Sequence, residues 1–121
     1  GRWLWMDGPG GDAIAEAQLR TLIELGIHTD LFELLEAQVP RTHQELLDGD
    51  AEQTRLALHT IAGSMRMIGA GEACDRLVAS EDRLRGGGSV DEVRAEADEL
   101  IAAVSRSIDC ARTMVSRLVA G

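Results

Sequence analysis

A chain of 121 residues is long enough for one domain around one core. Its formal net charge of −9, with no lysine among its cations, argues against binding nucleic acid by phosphate neutralisation or a membrane through a polybasic patch. Aromatic side chains are confined to Trp3, Trp5 and Phe32, so the core must be Leu, Ile, Val, Ala and Met, a set that suits helices.

Residues 1–11, rich in Gly and containing Pro9, read as a linker or an expression remnant, with Trp3, Leu4 and Trp5 available to dock onto the folded part. The domain is expected to occupy 12–121. Asp12 is placed to cap a first helix that runs to about Leu25 and ends at Gly26. Thr29 or Asp30 opens a second, with Leu31, Leu34, Leu35, Gln38 and Val39 marking its inner face. Pro40 removes a backbone donor and predicts a bend near Val39 rather than a stop, because Leu46 and Leu47 resume the pattern.

Asp48-Gly49-Asp50 is a turn signal, and Asp50 with Gln53 resembles a capping box that opens the third helix. Gly69 and Gly71 close it. A fourth helix covers about 71–85, with Ala73, Leu77, Ser80 and Leu84 at helical spacing. Gly86-Gly87-Gly88 breaks the chain, and Ser89 with Glu92 reads as another capping box. The last helix is long, its inner face running through Val93, Ala97, Leu100, Val104, Ile108, Ala111, Val115 and Leu118. Short connections between long amphipathic helices imply antiparallel neighbours. The expected fold is all-α: an up-down antiparallel four-helix bundle of the second to fifth helices, with an additional short N-terminal helix capping one end. Cys74 and Cys110 lie far apart in apolar helical patterns with no Cys-x-x-Cys spacing, as expected of reduced thiols in a cytosolic core.

The third helix carries the feature that points to chemistry. Leu58, Ile61, Met65 and Ile68 form one apolar stripe, and at 100° per residue His59 points roughly 100–180° away from it. The imidazole's own face carries Glu52, Arg55, Ala62, Gly63 and Arg66. Gly63 and Ala62 leave room for a group on the ring or for a protein to approach it. Gly in mid-helix costs roughly 1 kcal/mol relative to Ala, which calls for a packing or functional reason. Arg55 and Arg66 lie one turn before and two turns after the ring, placed to hold an anion there. An unprotonated ring nitrogen is a good nucleophile near neutral pH. His28 follows a helix-ending glycine and reads as a loop residue; His43 reads as solvent-facing.

The run His59-Thr60-Ile61-Ala62-Gly63-Ser64, followed by Ile68-Gly69-Ala70, resembles the signature of histidine phosphotransfer (HPt) domains. Leu77 and Glu81 fall where the next helix of that family carries Leu and Glu. Residues 46–50 match the loop before its histidine helix. The resemblance spans roughly 15–120, with its specific part at 58–70. The family's usual lysine three residues after the histidine is here Ala62, and Arg66 is expected to supply the charge.

The resemblance implies a phosphorelay module of two-component signalling. A receiver domain of a response regulator brings an aspartyl phosphate and Mg²⁺, and His59 takes the phosphoryl group at its ε nitrogen. The domain itself needs no cofactor. Leu56, Ala62 and Met67 would line the docking patch. The start at Gly1 suggests an excised fragment, so the parent is expected to be a bacterial hybrid sensor histidine kinase with this part as its cytoplasmic C-terminal module. As an isolated domain it is expected to be a monomer.

Other chemistries lack their residues. A di-iron bundle needs inward Glu-x-x-His pairs, and none occurs. No hydrolase constellation and no nucleotide-binding glycine loop is present, so the domain cannot phosphorylate itself from ATP, and no metal ligands are assigned. The competing function is a non-catalytic HPt-like module for protein interaction, or for dimerisation through the last helix.

Overall fold

The structure, a computed structural model, describes residues 3–5 and 13–121. Five helices carry almost all of them: α1 (Glu16–Glu24), α2 (His28–Asp48), α3 (Ala51–Met67), α4 (Gly71–Arg85) and α5 (Val90–Ala120). Among the described residues the fold is all-α but for one short antiparallel ladder, β1 (Trp3–Trp5) with β2 (Ala13–Ala15), which pairs Leu4 with Ile14. The sequence predicts no strand there, only a linker or remnant whose Trp3, Leu4 and Trp5 could dock onto the folded part. The expected cap at Asp12 lies outside the described residues, and α1 begins only at Glu16 because 13–15 are taken into the ladder.

Helix boundaries follow local chemistry. Asp50 accepts from the Gln53 amide at 2.9 Å while the Gln53 side chain accepts from the Asp50 amide at 3.0 Å, the reciprocal box that starts α3. At α5 the box is one-sided: the Ser89 hydroxyl accepts from the Asp91 amide, and no contact of the Glu92 side chain completes it. α2 runs through Pro40 without a break and begins at His28, earlier than the sequence implies. The carbonyls at its far end are met by Arg94 of α5, which donates to Leu47 O at 3.0 Å and Gly49 O at 3.1 Å.

Each of α2 to α5 packs on its neighbours in turn, α2 on α3, α3 on α4, α4 on α5 and α5 back on α2, while α1 lies against α5 and α2. The stripe Leu58, Ile61, Met65 and Ile68 is fully buried, as are Ala73 and Leu77 of α4 and the inner face of α5 from Val93 to Val115. Leu34 is the exception on α2: it faces solvent, and Phe32 takes the inner position, with Arg112 of α5 over its ring at 5.7 Å. His43 is not simply solvated; its Nε2 lies 2.7 Å from Asp98 Oδ1 of α5. No disulfide joins the cysteines; Cys74 is buried and Cys110 half-buried. Among the described residues no helix is long and apolar enough to cross a membrane.

The α3–α4 turn is where the N-terminal ladder bears on the helices. Gly69 adopts φ +78°, a conformation that L side chains rarely take, and its carbonyl accepts from the Ala15 amide at 3.0 Å. A Cβ at Gly69 would meet the Ala15 carbonyl oxygen at 2.9 Å, and backbone cannot swing aside. Gly69→Ala is therefore expected to destabilise the fold by about 2–4 kcal/mol, backbone strain and overpacking together. Urea denaturation measures it, and an unchanged midpoint would contradict the close approach.

Candidate functional site

The site lies on the seam between α3 and α4. The apolar stripe of α3 turns into the core and sends His59 outward, and its side chain is 66% exposed. Leu77 of α4 is buried one turn before Glu81, so Glu81 continues the inner face of its helix toward the seam. Its carboxylate is buried, only 4% exposed, where a charge needs partners.

Three partners converge on it. His59 Nδ1 lies 3.3 Å from Glu81 Oε1. On the other oxygen, Arg85 Nη2 stands at 2.8 Å and Arg55 Nη1 at 3.5 Å. Arg85 follows Glu81 by four residues, the spacing that sets two side chains side by side on a helix. Arg55 is also gripped from its own helix by Glu52, at 3.2 and 2.6 Å. That hydrogen-bonded pairing holds the Glu52 carboxyl below its ordinary range. An ionised carboxylate only accepts hydrogen bonds, so the His59 nitrogen facing Glu81 is the N–H. In the neutral ring the lone pair is then on Nε2, the nitrogen away from Glu81.

The other residues expected at the site divide. Gly63 has open space above it, since a Cβ there would meet nothing within 4 Å. Met67, one turn on, and Leu56, two turns before, are exposed. Ala62, by contrast, is buried. Helices pack on both sides of α3, so its buried arc is wider than the four-residue stripe and takes in Ala62, which is thus no part of an accessible patch. Arg66 is exposed, but its guanidinium lies 3.5 Å from Cys74 Sγ, directed across the turn to α4. The ring is two turns away, about 10 Å along the helix, farther than the thiol.

His28 is not in a loop: it opens α2, and its Nδ1 is buried without a hydrogen-bond partner. Two participants escaped the sequence reading. Glu81 was legible only as a family position, and Arg85 not at all, although its i, i+4 spacing from Glu81 is a signal the sequence carries.

Residues 26–120 match the Hpt domain family, a range that takes in α2 to α5 and the whole segment around His59. The chain belongs to the Hpt domain family. No curated protein and no solved structure matches it. Membership implies histidine phosphotransfer within a phosphorelay and receiver domains as the family's partners.

In this Hpt domain nothing among the described residues requires a glycine at position 63. The helix accepts the conformational cost of glycine with empty space above it. Gly63→Ala is therefore expected to stabilise the fold by about 1 kcal/mol, the ordinary helix-propensity difference. Thermal or urea melting reads it; a loss of stability would mean that the space is filled.

Proposed function

We propose that His59 is the phosphoryl carrier of this domain, taking the group from a receiver aspartate and passing it to another. The observation that carries the reading is the pairing of an exposed imidazole with a buried carboxylate at its Nδ1 edge. The packing of α2 to α5 in a closed ring of neighbours supports an up-down antiparallel four-helix bundle as the scaffold, with α1 across one end. In such a bundle the histidine stands at mid-helix, on a rigid outer surface.

The chemistry follows from that geometry. Nε2 gives its lone pair to phosphorus in line with the departing aspartyl oxygen. The P–O bond breaks, its electrons leave on the carboxylate, and the Nδ1 proton stays on the ring. The ring becomes an imidazolium as the bond forms. Glu81 then faces a cation instead of a neutral N–H, and a hydrogen bond at the long end of the range strengthens into a charge-assisted one. Little covalent chemistry is required of the protein; positioning and charge do the work.

The receiver would bring Mg²⁺ and its acidic pocket, and this chain the nucleophile and clearance at Gly63. Exposed Leu56 and Met67 suit the rim of a small, transient contact, of the class that often buries less than about 1,200 Å². The domain would work as a monomer and as a cytoplasmic module of a larger hybrid kinase.

His59→Gln is expected to accept no phosphoryl group from a phosphorylated receiver while keeping its helicity; label on the variant would overturn the assignment. Glu81→Gln is expected to slow transfer about tenfold, roughly 1.4 kcal/mol. Its amide can either accept from Nδ1–H or donate to the bare nitrogen, so the ring becomes a mixture of tautomers visible in ¹⁵N chemical shifts. An unmixed Nδ1–H tautomer at unchanged rate would remove Glu81 from the mechanism.

A further inference from the structure

The phosphorylated histidine needs a counter-charge, and the lysine that the family places near it is missing here, in a chain with no lysine at all. A phosphoryl group brings about −1.5 to −2 of charge to a domain that already carries −9. Three arginines lie on the relevant faces. Arg66 is directed to Cys74. Arg55 is 24% exposed and is tied to Glu52 by two hydrogen bonds besides its contact with Glu81. Arg85 differs from both. It is 54% exposed, and among the described residues its one close ion pair is with Glu81, Glu52 feeling its charge from farther off. That same carboxylate holds the His59 ring by its other oxygen.

We infer that Arg85 is the residue that grips the phosphoryl oxygens once His59 is charged, released to them by Glu81. The inference rests on His59 as the acceptor. Before transfer, Glu81 faces a neutral N–H on one oxygen and guanidinium groups on the other. As Nε2 bonds to phosphorus, the ring turns cationic and claims the carboxylate more strongly. At the same moment a more highly charged anion forms beyond the ring. Arg85 exchanges one anionic partner for another, so no ion pair is lost overall. Its planar fork can meet two phosphoryl oxygens together, which an ammonium group cannot do. Four residues from Glu81 and at the last position of α4, it has the length and the exposure to make the exchange. Arg55 stays on Glu52 and keeps the seam neutral.

The test charges the domain with phosphoramidate, whose P–N bond breaks as Nε2 takes the phosphoryl group and ammonia leaves. No receiver is then involved. ³¹P NMR follows the titration of the phosphohistidine and its lifetime in wild type, Arg85→Gln, Arg85→Lys and Arg66→Gln. Melting curves confirm that each variant is folded. Arg85→Gln is expected to raise the phosphoryl pKa by about half a unit and to shorten the lifetime about threefold, as loss of an adjacent cation requires. Arg85→Lys should recover part of both changes, and Arg66→Gln should match wild type. An Arg85→Gln variant with wild-type titration and lifetime, or the same shift appearing in Arg66→Gln, would overturn the inference. A domain that takes phosphate from phosphoramidate but from no receiver would sink the relay and leave the Arg85 comparison standing.

Discussion

A carboxylate at the bottom of a helix seam cannot stand alone, and the arrangement around His59 follows from that constraint. Glu81 sits where the packing of α3 on α4 removes water. Its charge must be balanced by groups from the two helices, and an imidazole and two guanidiniums supply the balance. Burial thus fixes the tautomer of the ring, gathers cations beside it and leaves Nε2 on the outer edge. The apolar stripe of α3 and Leu77 of α4 set the distance; the charges only fill the geometry that packing leaves.

Much of this could be read before any coordinates. The period of the apolar residues gave the five helices, and the outward direction of His59 followed from counting at 100° per residue. The Asp50–Gln53 box was legible because capping is local chemistry over three residues. What was not legible depends on partners distant in sequence. Ala62 reads as surface on a single helical wheel and is buried because neighbouring helices cover both flanks of α3. Arg66 reads as a neighbour of His59, yet Cys74, eight residues on and across a turn, draws it away. Leu34 and Phe32 exchange roles because a two-residue offset on one helix cannot say which side α5 will occupy. The ladder of Trp3–Trp5 with Ala13–Ala15 is too short to show alternation.

Two glycines near the site obey opposite logic. Gly69 is required from within: its positive φ and the Ala15 backbone against it leave no room for a side chain. Gly63 is required by nothing among the described residues, since the space above it is empty of them. On the proposed function, clearance for an approaching receiver is what a glycine at such a free position would serve. That contrast separates a glycine that packing demands from one that it does not, using only the atoms around each.

The site also spans two mechanical regimes. His59 belongs to the middle of a helix whose inner residues are wholly buried, so its backbone opens only when the core does. Arg85 is the last residue of α4, and three glycines follow it, one of them at φ +94°. Helix ends fray first, and the amides there are the earliest to trade their protons with water. His59 therefore stands at the middle of a packed helix, and Arg85 at a helix end that a glycine run follows. On the proposed relay, the group that must be aimed and the one that must let go stand on supports of matching rigidity.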